Sequence, residues 1–169
     1  MDSESSSPIS IEGVAQFPPA KDGVFDTPET YYFECEYAEG FKMIVADSRQ
    51  QPKGMGSHFI GDKGWIYVSR GGRIDSHPKS LLTSVIQPGE IHLYKSDNHI
   101  QNFLDCVRSR SKTVTPVGVA HHAIMVGHLG LIAMKLGRKV HWDPKNERFI
   151  NDPDADRLLS RPMRSPWHL

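Results

Sequence analysis

The apolar positions of this chain change their period half-way along it. In the first half they alternate. Ile9, Ile11 and Val14 open a strand-like segment that Phe17-Pro18-Pro19 stops. Residues 18–29 hold three Pro, one Gly and two Asp and read as a loop. Tyr31, Phe33, Cys35 and Tyr37 then alternate with Tyr32, Glu34 and Glu36, the period-two pattern of a strand with one buried face. Ala38-Glu39-Gly40 turns the chain, and Phe41, Met43 and Val45 alternate with Lys42 and Ile44, so the pair predicts an antiparallel hairpin. After a polar loop over 48–57, His58-Phe59-Ile60 and Trp65-Ile66-Tyr67-Val68 predict two more strands around Gly61-Asp62-Lys63-Gly64. Arg70 to Arg73 ends that unit, and residues 78–85 read as a short helix or an irregular loop. The sum is one antiparallel sheet of four to six strands.

Beyond Ser96 the period becomes 3.6. Ser96 is a suitable N-cap with Asp97 in the first turn, and Ile100, Phe103, Leu104 and Val107 form one apolar helix stripe. A second helix is predicted over about 119–136, stopped by Gly137. It is apolar around most of its circumference, with Ala120, Ala123, Gly127 and Gly130 making a narrow side where backbone can approach closely. Residues 140–150 predict a short strand or hairpin, Asp152-Pro153 opens a short helix through Leu159, and the Pro-punctuated tail is extended. Strands first and helices later predict an α+β fold, an open-faced antiparallel sheet with helices on one face.

Composition narrows the picture without naming a chemistry. A length of 169 residues fits one domain, read as residues 9–169 behind a Ser-rich tail over 1–8. Twenty basic residues balance twenty acidic ones, which argues against a nucleic-acid partner. No run of about 18 apolar residues marks a membrane span, and MDSESSSP has the features of no export signal, so the default compartment is cytoplasmic. Cys35 and Cys106 sit in a strand-like and a helix-like segment and read as buried thiols rather than a disulfide.

Nine histidines raise the question of a metal. His121 and His122 point about 100° apart on a helix, and His121 and His128 share a face but lie roughly 10.5 Å apart along it. Zinc ligands on one helix are typically spaced i, i+4, so neither pair suits and no metal is expected. The aspartates make no paired-carboxylate site by spacing. Gly-x-Ser-x-Gly and Cys-x-x-Cys are absent, and neither Gly54-Met55-Gly56 nor Gly71-Gly72 completes a dinucleotide-binding Gly-x-Gly-x-x-Gly. Alternation places Trp65 and Tyr67 on one strand face; with Arg70 nearby they are candidates to stack on and hydrogen-bond a sugar, against the plainer reading of a face buried in the core or under a partner. Arg161, Arg164 and Trp167 are candidates for contact with a neighbouring domain.

The second half carries an ordered set of short motifs: Ser96-Asp97-Asn98-His99, Asn102 to Arg110, His121, His128-Leu129-Gly130, Leu136 to Pro144, Asn151-Asp152, and Leu158 to Arg164 with Pro166-Trp167. This set resembles the C-terminal domain of bacterial oxidoreductases of the glucose–fructose oxidoreductase / inositol dehydrogenase (Gfo/Idh/MocA) family, over nearly the whole chain from about Pro8. The resemblance implies an open-faced sheet that shapes a substrate site and often forms oligomer contacts. It places His99 at the histidine of a Ser-x-Asp-His motif, with Asn98 where Asp is usual, as a buried capping or orienting residue. It places His121 at the histidine of a Gly-His-Arg-Ser-like turn, with Ala120, His122 and Ala123 at the other three positions. Both histidines join the substrate-binding candidates.

Full-length relatives bind NAD or NADP on an N-terminal Rossmann domain and oxidise a sugar or polyol hydroxyl; their Glu-Lys-Pro lysine and Asp/His pair lie upstream of the region matched here. The resemblance therefore implies no cofactor and no catalytic residue on this chain alone, and a fragment in which Met1 matches an internal methionine of a longer frame. The expected partners are further copies of the chain, joined through an open sheet face whose apolar patch drives association, and a separate chain carrying the Rossmann domain. The alternative is a free-standing module that docks a partner or binds a carbohydrate.

Overall fold

The computed structural model describes residues 7–19, 25–161 and 163–167. Its strands are β1 (Ser10–Gln16), β2 (Thr30–Glu36), β3 (Lys42–Ala46), β4 (Ser57–Gly61), β5 (Gly64–Val68), β6 (Ile74–His77), β7 (Val140–Asp143) and β8 (Arg148–Phe149). Its helices are α1 (His99–Ser109), α2 (Val117–Leu136) and α3 (Pro153–Asp156). The α+β class read from the sequence is what forms. The strands, however, divide into a five-stranded sheet in the order β3-β2-β1-β7-β8 and a separate three-stranded sheet, β4-β5-β6. The chain accordingly forms two compact units: residues 1–47 with 115–169, and residues 48–114 between them in sequence.

In the first unit β1 pairs along its whole length with β2, from Ser10 opposite Glu36 to Gln16 opposite Thr30. The predicted β2–β3 hairpin forms; Gly40 takes a positive φ of 84° at its turn, and Tyr37 stacks on Phe41 at 4.2 Å. The strand β7 joins the other edge of β1 at Ser10 and Ile11. Ile11, Phe33, Cys35, Val140, Trp142 and Phe149 point to one side of this sheet and are buried. There they meet Met125, Leu129, Ile132 and Ala133 of α2. Burying such side chains contributes about 1.5–3 kcal/mol each, so this seam is the main source of stability.

By length and composition α2 is apolar enough to cross a bilayer, a test that the core helix of a globular domain also passes. Its seat on β1 and β2 is that of a core helix. Gly137 ends it as expected, in the left-handed conformation with its N–H bonded to the carbonyl of Ala133.

Close approach occurs at one point of the small-residue side. A Cβ on Gly130 would lie 2.5 Å from the Phe33 ring, whereas one on Gly127 would meet nothing within 4 Å. Asp152 caps α3, which is shorter than the sequence suggested. Ser7 and Pro8, assigned to the tail by composition, are buried, and Ser7 Oγ donates to Met125 Sδ at 3.6 Å. Met1 and Asp2, on which the internal-methionine reading rests, lie outside the described residues, as do 20–24 of the first loop.

The second unit has a thinner interior: Tyr67, Ser76 and Cys106 are its buried residues. Strand β6 is absent from the sequence reading because Ile74-Asp75-Ser76-His77 offers one apolar residue and no alternation. Residues 79–83 resolve the open choice at 78–85 as a turn of 3-10 helix. The cap of α1 also differs from expectation. Asn98, not Ser96, is extended and accepts from the N–H of Gln101 at 2.9 Å, which satisfies one free donor of the first turn. Both cysteines are buried free thiols; burial alone pushes the Cys35 thiol up to about 12.

Candidate functional site

Cross-strand register decides what stands beside the sugar-stacking candidates. Trp65 lies opposite Ile60 and His77, and Tyr67 opposite His58 and Asp75, so these six residues share one face of the small sheet. The His58 ring meets Trp65 edge-on at 5.2 Å, and the Trp65 and His77 rings lie nearly parallel at 6.5 Å.

The face is already occupied. Lys53, from the loop before β4, places its Nζ 3.8 Å from the centre of the Trp65 ring and 5.5 Å from that of Tyr67. The same ammonium pairs with Asp75 at 2.9 Å. The Tyr67 hydroxyl lies 3.0 Å from the carbonyl of Lys53 and 2.7 Å from that of Met55, and Tyr67 is 3% exposed. Lys79 also pairs with Asp75, and the two lysines together hold its carboxyl far below the usual carboxylate range.

With Lys53 in this position Tyr67 has no free face for a ligand, and Trp65 is half-buried beneath an ammonium group. Arg70 is exposed on the β5–β6 turn, apart from the Trp65 face; with Phe59, Val68 and Met55 it lines an open hollow of about 550 Å³.

The second concave surface lies on the five-stranded sheet, on the face away from α2. Ser10, Glu12, Val14, Tyr32, Glu34, Glu36 and Lys42 alternate onto it, and with Arg138 and Lys139 they line a groove of about 460 Å³. The apolar patch expected here is instead a charged lattice. Glu36 accepts from Ser10 Oγ at 2.6 Å and from Lys139 at 2.9 Å and pairs with Lys42 at 3.4 Å. Tyr32 donates to Glu34 at 2.5 Å. Arg138 grips Asp152 with both nitrogens, at 2.5 and 2.7 Å. The apolar part is small: Val14 is 71% exposed and Ile44, on β3, 51%. The pattern could not show this, because it gives the face of Glu12, Glu34 and Glu36 but not their pairing across strands.

The hydrogen bond from Ser10 and the Lys139 and Lys42 ammoniums hold the Glu36 carboxyl at about 2 instead of 4.5. A group depressed by folding stabilises fully above its unfolded pKa, and the contribution vanishes as pH falls through the folded one. Glu36→Gln is thus expected to lower the urea midpoint above about pH 4.5, with a gap from the native chain that closes as pH approaches about 2. A gap independent of pH would contradict this account.

The remaining candidates do not converge. His99 is the first residue of α1 and exposed, so it is not a buried capping residue; Asn98 fills that role through its shorter side chain. His121, exposed on α2, bonds Glu147 at 2.8 Å, a local tie between the helix and the β7–β8 turn. Arg161, Arg164 and Trp167 are exposed in the tail, the last at 65%. The sequence reading passed over Lys53 and Asp75; only the alternation that put Asp75 on the Trp65 face would have pointed to it, and that strand went unseen. Among the described residues, no three His, Cys, Asp or Glu side chains gather as metal ligands.

The sequence profile described as "Oxidoreductase family, C-terminal alpha/beta domain" of the Gfo/Idh/MocA group matches residues 1–169. The chain belongs to this family. The Gfo/Idh/MocA motifs read from α1 and α2 fall on the elements just described. No curated protein matches the sequence. A crystal structure of an NAD-binding protein from Listeria innocua is similar over 80% of this chain and 46% of its own, with 13% identity and a TM-score of 0.49. The present Gfo/Idh/MocA chain thus spans about half the length of that protein.

Proposed function

We propose that this chain is the part of an NAD(P)-dependent sugar or polyol oxidoreductase that shapes the substrate site and joins subunits, with no turnover on its own. The observation that carries the reading is the match of all 169 residues to the C-terminal domain of an oxidoreductase family. Two features of the molecule support it. The chain contains no Gly-x-Gly-x-x-Gly to cradle a dinucleotide, so NAD or NADP would be held by a Rossmann domain, in the same frame or on a separate chain. The apolar stripe of α1 is also left open: Ile100, Phe103, Leu104 and Val107 are 72, 57, 42 and 45% exposed. A helix stripe of this kind is made to be covered, and the dinucleotide domain is the cover this reading supplies.

Subunits would meet through the five-stranded sheet. Charges of both signs interleave there around Val14 and Ile44, so two copies related by a two-fold axis can set lysine against glutamate while the valines close the centre. Light scattering after size-exclusion chromatography is expected to give a dimer or larger assembly. Val14→Arg is expected to give a monomer with an unchanged circular dichroism spectrum. A native chain that stays monomeric at high concentration overturns the assembly part of the reading. Reduction of NAD or NADP by the purified chain with a sugar or polyol overturns the need for a separate domain.

A further inference from the structure

Lys53 is a cation seated in a site built for cations. Its ammonium faces the indole of Trp65 at 3.8 Å and the phenol ring of Tyr67 at 5.5 Å, and meets the Asp75 carboxylate at 2.9 Å. Two aromatic faces and one carboxylate form the set of groups that recognises alkylammonium ligands, because ring quadrupole and carboxylate both attract a weakly hydrated positive charge. The imidazoles of His58 and His77 flank the indole.

The rigid wall and the occupant belong to different parts of the chain. Trp65, Tyr67 and Asp75 stand on paired strands. Lys53 stands on a loop next to Gly54, which adopts a positive φ of 75°. The Lys53–Asp75 pair is not sealed from solvent, the two side chains remaining 25 and 24% exposed. Withdrawing Lys53 breaks one ion pair and the cation–π contacts with Trp65 and Tyr67, while Lys79 stays paired with Asp75 and keeps that carboxylate from being left alone. The Tyr67 hydroxyl holds the loop backbone meanwhile, so the site empties without the loop unfolding.

We propose that the face formed by Trp65, Tyr67 and Asp75 is a binding site for small alkylammonium ligands, which Lys53 fills in the free chain and vacates on binding. A methylammonium head would take the position of the lysine Nζ, between the indole and the carboxylate. Because Lys53 competes from within the chain at a high effective concentration, the native chain binds such ligands several-fold more weakly than a chain without it. The site shares no residue with the sheet face and helix stripe on which the proposed function rests, so either can fail alone.

The test follows the indole N–H resonance of Trp65 by NMR, assigned through its loss in Trp65→Phe. Tetramethylammonium is titrated into the native full chain and into Lys53→Ala, with neopentyl alcohol as a neutral probe of the same shape. The expected result is a saturable shift with tetramethylammonium alone, reached at several-fold lower concentration in Lys53→Ala. Three outcomes overturn the proposal: no saturable shift in the native chain, an equal response to the neutral probe, or equal affinity in the two proteins. Should Lys53→Ala lose its dispersed spectrum, Lys53→Gln takes its place, with the same gain in affinity expected and equal affinity again overturning the proposal.

Discussion

Gly130→Ala is expected to destabilise the first unit by about 2 kcal/mol, although alanine is the better helix former by about 1 kcal/mol. The reason is the Phe33 ring, 3% exposed, three atoms of which would lie within 2.7 Å of the new Cβ. That ring has little room to move. Gly13, directly opposite Phe33 on β1, leaves its own Cβ direction filled by Phe33 and the carbonyl of Tyr32. The Phe33 Cβ thus fills the place a side chain at Gly13 would take, while its ring meets α2 at Gly130.

Three companions make the prediction specific. Gly127→Ala, on the same helix with open space around it, is expected to stabilise by about 0.5–1 kcal/mol, the plain gain in helix propensity. Phe33→Leu alone is expected to cost about 1–2 kcal/mol through the volume it loses. In combination with Gly130→Ala it is expected to cost less than the two singly, because the smaller side chain frees the space the methyl takes. Urea midpoints of the four proteins check all of this, and strict additivity of Phe33→Leu and Gly130→Ala would mean that the contact is not tight.

Tyr67→Ala is expected to unfold the three-stranded sheet while leaving the five-stranded one intact. Truncating a buried aromatic typically costs about 3–5 kcal/mol. Here that loss falls on a unit with three buried residues, Tyr67 being the one large side chain among them. Tyr67 also supplies the hydroxyl that meets the carbonyls of Lys53 and Met55. Tyr67→Phe isolates that second contribution, and the cost of losing the hydroxyl's bond to these carbonyls is expected to be about 1 kcal/mol. Hydrogen exchange reads the outcome by element: amides of β4, β5 and β6 lose protection in Tyr67→Ala while those of β1 and β2 keep it. Loss of protection in both sheets together would show one cooperative molecule instead of two units.

Local structure was readable where one kind of force acts. Alternation at Tyr31, Phe33, Cys35 and Tyr37 gave β2 its buried face, and Gly137 gave α2 its end, because burial and backbone strain each leave a mark at the residue concerned. Partition of strands between sheets leaves no such mark. The patterns of β2 and β5 are alike, yet they lie in different sheets, since pairing depends on which edges meet after the loops close. Site residues show the same divide. Trp65 and Tyr67 were found by pattern, whereas Lys53 lies 12 and 14 positions earlier in a loop with no period, and its role comes from a distance in space. Asn98 was missed for a smaller reason: Ser96 and Asn98 are both good caps, and only the backbone decides between them.

The thin seam between β1 and β7 has a consequence for how the protein is made. On the ribosome, β1, β2 and β3 emerge early and pair with one another, but the free edge of β1 waits until residue 141 has been translated. Translation proceeds at about 5–20 residues per second, so that edge stays open for several seconds. The helix that covers the apolar face is made in the same late stretch, while the three-stranded sheet is born, and can close, in the interval. A nascent chain paused anywhere before α2 therefore presents an uncovered sheet and an unpaired strand, the features that chaperones hold and aggregates recruit. The supply of chaperones during this interval is therefore expected to affect how much of the chain reaches its folded state.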